Sequence, residues 1–392
     1  MLQKITIDQL TTGMYVVEVT RQRGQVKITS EGYLKSASLL QALRDKGVLE
    51  VIVDPSRSTV ELPGDEVVKT AAPKPTKTPL SQELPKAADL YLQAKQLQQK
   101  AFSDVLAGKP IQLAPFQQCA DGFIDSIFRN QDALLCISQI REKDAYLLEH
   151  SVNVSILMTI FAKYLQLPDE QIQQLATGAL LHDIGKIKVP DSVLHKPGKL
   201  TDDEFVLMRE HVVYSRELLE NVPGISPISL DVAAHHHERL DGRGYPNRLT
   251  GEQISMAARM IAIVDTYDAI TAQRVYKEGQ TSLTALKILR KDSGSHFDLA
   301  LVNQFIQAVG IYPPGSLVRL KNHKVGIVLE TGVEATKPIV KTFYHARFKR
   351  YTEVEELDLS KSKHADAGID AIVRAEELGI DVPKFFRQNL LA

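Results

Sequence analysis

Histidine and aspartate residues that could bind metal are concentrated in one part of the chain. Of 11 histidines, none precedes His150 and seven lie between His150 and His237. Imidazole and carboxylate groups without thiolate suit Zn, Fe, Mn, Co or Ni rather than a structural cysteine site. Such a centre could activate water for hydrolysis. The candidate residues are His150, His182, Asp183, His211, His236, His237 and Asp265.

Helical periodicity predicts that these side chains point inward. The segment DEQIQQLATGALLHDIGK predicts a helix starting near Asp169, and its apolar stripe continues at His182. Gly185 is the predicted C-cap of this helix. His182 and Asp183 would then lie at the end of a buried helix.

Two further helices carry candidate residues on their apolar sides. A capping box of Thr201 and Glu204 opens the helix that bears His211. The stripe of another helix runs into Asp265 and Asp268. A single buried histidine is more often a core residue, and Asp268 alone could be a capping acid. The whole set is hard to explain by packing, because a carboxylate on an apolar face is costly unless paired or metal-bound.

The surrounding sequence predicts a mainly α protein. Residues 1–54 are predicted as a small α+β domain, with strands at 16–19 and 51–53 and a helix at 37–43. Residues 55–86 are rich in Pro, Lys and Thr, which predicts a linker. Residues 87–144 predict a helical connector, either a dimer interface or a packed scaffold. A helical domain at 145–312 would hold the candidate residues, and 313–392 predict a β-rich segment with a helix at 365–378.

Composition excludes several classes of protein. The formal net charge of −1 gives no global attraction for nucleic acid or anionic membrane. Two cysteines argue against a disulfide framework. The sequence shows neither a signal peptide nor a long apolar run. We therefore expect a cytoplasmic protein without nucleic-acid binding or membrane insertion.

Two motifs resemble those of a known bacterial family. LLHDIGK at 180–186 resembles the signature of HD-domain phosphohydrolases, and HHERLDGRGYP at 236–246 resembles the second signature that defines the HD-GYP subfamily. The resemblance extends over about residues 145–310 and implies an all-helical HD-type catalytic domain. It implies a metal-dependent phosphodiesterase of second-messenger signalling, hydrolysing cyclic di-GMP to pGpG, GMP or both.

The resemblance also implies roles for individual residues. The seven candidates would bind two divalent ions, with iron or manganese favoured and Ni, Co, Zn or Mg acceptable. Asp183 would bridge the ions and act in catalysis together with Lys186, which would contact the scissile phosphate. The predicted substrate contacts are Lys186, Gly244, Tyr245, Asp268, Arg274 and Lys277.

One departure from the family pattern bears on the number of metals. Members with three metals place a glutamate one turn before the first histidine, where this chain has Tyr146. Glu149 diverges from that direction by about 100° around the helix. We therefore expect two ions rather than three. His235 is interpreted as a surface or supporting residue and not as a ligand.

The expected mechanism is in-line attack by a metal-activated hydroxide, without a covalent enzyme intermediate. One alternative keeps the chemistry and changes the substrate to 3′,3′-cyclic GMP-AMP. Another is an inactive module that binds a cyclic dinucleotide or a diguanylate cyclase (GGDEF) partner, since the family links the GYP loop to such contacts. A nucleotide hydrolase of the broader HD group and a nuclease fit the GYP segment and the neutral charge less well.

Overall fold

The computed structural model describes residues 3–22, 32–55, 57–60, 77–140, 146–272, 278–361 and 368–391. The chain divides into two compact units, residues 1–77 and 78–392. Among the described residues, no helix has both the length and the apolar character that crossing a bilayer requires.

The first unit is a small antiparallel sheet with one helix. Its elements are β1 (Gln3–Thr6), β2 (Tyr15–Gln22), β3 (Gly32–Tyr33), α1 (Ala37–Asp45) and β4 (Val48–Val53). The strand order is β1-β4-β2-β3. Val51 and Val53 on the central strand β4 are fully buried in a core of this unit's own residues. The predicted strands and helix of this region are confirmed.

The second unit begins with a run of helices that form most of its core. They are α2 (Leu80–Leu106), α3 (Leu113–Ser138), α4 (Tyr146–Tyr164), α5 (Asp169–Leu181), α6 (Asp191–Leu194), α7 (Asp202–Glu220), α8 (Pro227–His235), α9 (Met256–Thr271), α10 (Ser282–Lys291) and α11 (Leu299–Val309). Helix α4 contacts α2, α3, α5, α9 and α11. Residues 149–162 of α4 are buried on every side, which explains why this helix is apolar all round. The all-helical organisation predicted for this region is confirmed.

The chain then forms a five-stranded antiparallel sheet and two short helices. These elements are β5 (Leu317–Leu320), β6 (Lys324–Glu330), β7 (Ile339–His345), β8 (Arg350–Asp358), β9 (Ile369–Ile372), α12 (Ala375–Leu378) and α13 (Val382–Asn389). The strand order is β8-β7-β6-β5-β9. Buried Asp132 of α3 accepts hydrogen bonds from the backbone and hydroxyl of Thr331, which ties the sheet to the helices.

Three boundary predictions were wrong. The predicted helix at 365–378 contains strand β9, because Ile369 and Ile372 complete the hydrogen bonding of β5, while residues 365–367 lie outside the described residues. Helix α2 begins at Leu80, inside the predicted linker, because Leu80 and Leu84 are buried in the main core. Helix α5 ends with His182 as its C-cap, and Gly185 lies in the following 3₁₀ turn at Ile184–Lys188.

The two cysteines are free and buried in the described core. Burial raises the pKa of the Cys119 thiol to about 12 and also raises the pKa of Cys136. Both thiols therefore stay protonated and behave as packing residues, as expected for a chain without a disulfide framework.

Candidate metal centre

The ends and inner faces of five helices converge on one buried point. His150 comes from α4, His211 from α7 and Asp265 from α9, while the other residues follow the C-terminal ends of two helices. Ile172 and Leu175 form the buried apolar stripe of α5. His182 follows on the same side of the helix, and its side chain is fully buried. The structure brings all seven predicted ligands together: His150, His182, Asp183, His211, His236, His237 and Asp265.

Asp183 lies at the middle of this cluster. Its Oδ2 atom lies 3.4 Å from His182 Nε2 and 3.5 Å from His150 Nε2. Its Oδ1 atom lies 3.4 Å from His211 Nε2 and 3.9 Å from His236 Nε2. One carboxylate therefore faces two different sets of imidazoles, which is the position a bridging ligand requires.

The cluster separates into two groups of donor atoms. His150, His182 and Asp183 form one group, and His211, His236 and His237 form the other, with donor atoms in each group within 4.8 Å of one another. Asp265 connects them, since its Oδ1 is 2.9 Å from His150 Nε2 and its Oδ2 is 3.9 Å from His237 Nδ1. Two adjoining donor sets of this kind can hold two cations.

Three of the histidines are locked in one tautomer by the turn that precedes them. The Nδ1 atoms of His182, His211 and His236 lie 2.7, 2.6 and 2.8 Å from the carbonyl oxygens of the residues three positions earlier. A carbonyl only accepts, so each Nδ1 must donate and each Nε2 presents a bare lone pair. This is how metal-binding imidazoles are oriented in proteins.

Uncompensated polar atoms indicate that a cation fits the centre. His182 Nε2 and Asp183 Oδ1 are buried and have no hydrogen-bond partner among the described residues. The Nε2 atoms of His211 and His236 lie only 3.2 Å apart, although both carry lone pairs in these tautomers. Buried acceptors without donors are costly, and a cation between them removes that cost.

The charge states also match those of a metal site. Burial lowers the pKa of His211 to about 4 and of His237 to about 3, so both are neutral at neutral pH. Burial would raise the pKa of Asp183, but its interactions with His182, Lys186 and His211 hold it well below the ordinary value. Burial also opposes protonation of His150, yet hydrogen bonds to Asp265 and Asp268 raise its pKa to about 9. A cation at the centre would take the place of that proton.

Asp268 lies on the side of the His150 ring that faces away from Asp183 and Asp265. Its Oδ2 is 2.7 Å from Nδ1 of His150, and its side chain is fully buried. This position differs from the substrate contact that was predicted for Asp268. A buried carboxylate on the far side of the His150 imidazole cannot reach a substrate that is bound at the centre. It corresponds instead to the carboxylate that orients a metal-binding histidine.

The loop that follows His237 covers one side of the cluster. Its Tyr245 ring lies 4.7 Å from the His237 ring, centroid to centroid. Gly244 is needed because a Cβ there would lie 2.5 Å from the backbone nitrogen of Arg239. Buried Glu238 accepts hydrogen bonds from the backbone nitrogens of Asn247 and Leu249, at 2.7 and 2.9 Å, and fixes the loop.

The remaining predicted residues have different surroundings. Lys186 reaches Asp183 with its Nζ atom 2.5 Å from Oδ2 and is 17% exposed, so it faces the open side. Glu149 turns away from the centre and pairs with Lys95 at 2.9 Å, as expected if it is not a ligand. His235 points away to Asp231, at 2.7 Å. Arg274 and Lys277 lie outside the described residues, so their predicted contacts stay predictions.

Sequence reasoning did not find three residues that shape the site. Glu238 was hidden because an acid in a turn-rich loop is ordinarily solvated. Arg209 and Phe205 of α7 were missed because a mixed polar and apolar helix face looks like surface. In the structure the guanidinium carbon of Arg209 lies 4.5 Å from the centre of the Phe205 ring.

Comparison with known families identifies two regions. Residues 135–301 match the HD domain, and residues 2–116 match a domain of unknown function. A Pseudomonas aeruginosa protein named cyclic di-GMP phosphodiesterase is 39% identical over 378 residues, which cover 93% of this chain and 91% of that protein.

Other proteins match a smaller share of this chain or match it at lower identity. A Vibrio cholerae protein named 3′3′-cGAMP-specific phosphodiesterase 2 is 36% identical over 40% of this chain and 30% of its own length. The solved structure of an HDG"Y"P protein from Bdellovibrio bacteriovorus is similar with a TM-score of 0.48 and 17% identity, over 78% of this chain and 99% of that one.

Proposed function

The chain belongs to the HD-GYP family of cyclic dinucleotide phosphodiesterases, and from this premise we propose that it hydrolyses cyclic di-GMP to pGpG with two divalent ions. The observation that carries the proposal is the position of Asp183, whose two oxygens face two separate imidazole groups. The relative that matches nearly the whole chain carries the name of a cyclic di-GMP enzyme, which supports this substrate over cyclic GMP-AMP.

Each donor group would hold one ion. The first ion would be bound by His150, His182 and Asp265, and the second by His211, His236 and His237. Asp183 would bind both ions. Bound divalent ions supply Lewis acidity to the phosphate oxygens and to the attacking water. The nitrogen and oxygen ligands suit iron or manganese, and they also accept Ni, Co, Zn or Mg.

The protein's own groups prepare the phosphodiester for attack. Lys186 holds a positive charge beside Asp183 on the exposed side, where it can donate to a phosphate oxygen as negative charge develops. Burial raises the pKa of Tyr245, so its hydroxyl stays protonated and can donate a hydrogen bond. The ring of Tyr245 also offers a face on which a guanine could stack.

The first test combines metal analysis with turnover. Protein purified without oxygen should contain about two ions per chain and should cleave cyclic di-GMP faster than cyclic GMP-AMP. Asp183→Asn should lose both metal and turnover, since the bridging carboxylate is removed. Full metal occupancy without hydrolysis of either dinucleotide would contradict the proposal and favour a binding module.

Two associations remain predictions. Contact of the GYP loop with GGDEF domains is one, and it would use the exposed residues of that loop, such as Arg243 and Arg248. Pairing of two chains through α2 and α3 is the other. These helices pack on each other and on α4, which supports the scaffold role. Leu92, Leu106 and Phe128 keep about half or more of their surface exposed, which supports pairing with a second chain.

A further inference from the structure

We propose that Arg209 reads a guanine base of the substrate and thereby favours cyclic di-GMP over dinucleotides that contain adenine. The inference rests on the proposed function and adds a residue that determines specificity. It comes from an arginine on α7 that is held beside the metal centre by aromatic rings and lacks a polar partner among the described residues.

The position of Arg209 is fixed by packing and not by charge. Its guanidinium carbon lies 4.5 Å from the centroid of Phe205, one helical turn earlier, and 5.4 Å from that of Tyr245. The two rings themselves lie 6.4 Å apart at 82°. A guanidinium held by aromatic rings keeps its donors directed along its own plane.

The hydrogen-bonding capacity of Arg209 is left unused by the part of the chain that is described. Its Nε atom is buried without a partner, and no ion pair of its guanidinium is found there. Three other arginines of the same domain that are described are paired at 3.1 Å or less, namely Arg216 with Glu220, Arg239 with Asp241 and Arg259 with Asp298. A half-buried cation next to a catalytic centre, without an internal partner, is suited to an external acceptor.

The location indicates a base and not the scissile phosphate. The Tyr245 ring lies 5.4 Å from the guanidinium carbon of Arg209 and 4.7 Å from the His237 ring, while Arg209 itself contacts none of the predicted ligands among the described residues. The reacting phosphate must lie at the ligands, and the nucleoside extends away from them. Phe205 is 42% exposed and provides a further flat surface for a purine.

Arginine distinguishes guanine from adenine through the pattern of donors and acceptors. Guanine presents two acceptors, O6 and N7, which match the two parallel donors of a guanidinium. Adenine presents N7 beside an amino group, and that donor would oppose the donors of Arg209. The arginine therefore binds guanine with two hydrogen bonds and adenine with one at most.

The test compares three substrates in Arg209→Met and Arg209→Lys. We expect kcat/KM for cyclic di-GMP to fall about 10- to 100-fold in Arg209→Met. The loss should be smaller in Arg209→Lys, since lysine still donates to O6 and N7 but lacks the planar fork of a guanidinium. The value for cyclic di-AMP should change little, and cyclic GMP-AMP should be intermediate. Arg216→Met, on the same helix and paired at the surface, is the matched control and should leave all three values unchanged.

Binding is measured in parallel with hydrolysis-resistant phosphorothioate analogues of cyclic di-GMP and cyclic di-AMP on the metal-loaded protein. Equal losses for guanine and adenine substrates would overturn the inference and make Arg209 a phosphate contact. No loss in either variant would also overturn it. A wild-type protein that neither binds nor cleaves any cyclic dinucleotide would instead refute the proposed function itself.

Discussion

At the scale of single residues, the geometry distinguishes predicted metal ligands from residues that orient those ligands. Asp183 and Asp268 are both buried aspartates in contact with the histidine cluster, yet only Asp183 faces two donor groups. Asp268 touches the far nitrogen of His150. The two aspartates are similarly buried but differ in their roles. The nitrogen of the His150 ring that each carboxylate contacts distinguishes them.

The orienting role of Asp268 predicts a particular effect of Asp268→Asn. Loss of the charge should weaken metal binding and lower kcat/KM by about 10- to 100-fold, the usual effect of removing such a partner. Competition with a chelator measures the metal affinity. Exposed Asp203→Asn is the control and should match the wild type. A higher KM with unchanged metal affinity would restore the substrate contact that the sequence suggested.

The sequence predicted the convergence of these seven side chains because each lies at an end or on a buried side of a helix. Helical spacing gave the direction of His182, and the capping box gave the start of α7, which is confirmed. It could not give the contacts of Arg209 or Glu238. The contact of Arg209 with Tyr245 joins α7 to a loop that is distant in the chain, and the hydrogen bonds of Glu238 span an irregular loop. Helical spacing carries no information about either.

At the scale of elements, the approach of the 3₁₀ turn to α7 depends on Gly185. A Cβ at this position would lie 2.2 Å from the carbonyl oxygen of His211 and 2.4 Å from the backbone nitrogen of Ser215. The sequence suggested a helix cap for this glycine, whereas the structure uses it to let two backbones meet. The turn that follows Asp183 is thereby held against the helix that carries His211.

We expect Gly185→Ala to separate these two ligand-bearing elements. The variant should lose about 1–3 kcal/mol of unfolding free energy, the usual cost of overpacking, and should bind less metal. Gly368→Ala is the control, because a Cβ there meets only the Lys321 side chain at 3.7 Å. Unchanged stability and metal content would show that the turn can move without disturbing the centre.

The contact between α2 and α3 contains a buried charge that makes stability depend on pH. Glu83 is fully buried and accepts hydrogen bonds from Arg129 and Ser126, each at 2.8 Å. Burial would raise the pKa of Glu83, but these hydrogen bonds outweigh it and lower the pKa. A carboxyl with a lowered folded pKa stabilises the protein above its unfolded pKa, and the stabilisation is lost as pH falls through the folded value.

Glu83→Gln should therefore be less stable than the wild type at pH 7 by about 1–3 kcal/mol, towards the lower end because Arg129 is 41% exposed. The difference should shrink as pH falls below the ordinary glutamate pKa of about 4.3. Urea denaturation at pH 7 and at about pH 3, well below the unfolded pKa, measures it, and comparing the two proteins cancels acid effects on the metal centre. Glu220→Gln, in a surface pair, should change stability little, and a constant deficit for Glu83→Gln would contradict the assignment.

At the scale of the whole molecule, local patterns predicted elements better than boundaries. Strands β2 and β4 were predicted from their β-branched residues, and β5, β6 and β7 from alternation. The start of α2 and the strand β9 were missed, since both depend on distant partners. Leu80 and Leu84 are helical because the main core receives them, and Ile372 is extended because Val318 pairs with it.

The separation of the cores predicts that the second unit works without the first. The buried residues of the N-terminal sheet contact one another, and the main cluster begins at Leu80. All seven predicted ligands also belong to residues 78–392.

A chain that lacks residues 1–77 should therefore unfold cooperatively, bind the same number of metal ions and keep kcat/KM for cyclic di-GMP within about threefold, a change below 1 kcal/mol. Scanning calorimetry, metal analysis and the hydrolysis assay check the three parts separately. Loss of turnover with folding and metal intact would show that the first unit regulates the centre, whereas loss of folding would show that the helical core needs it.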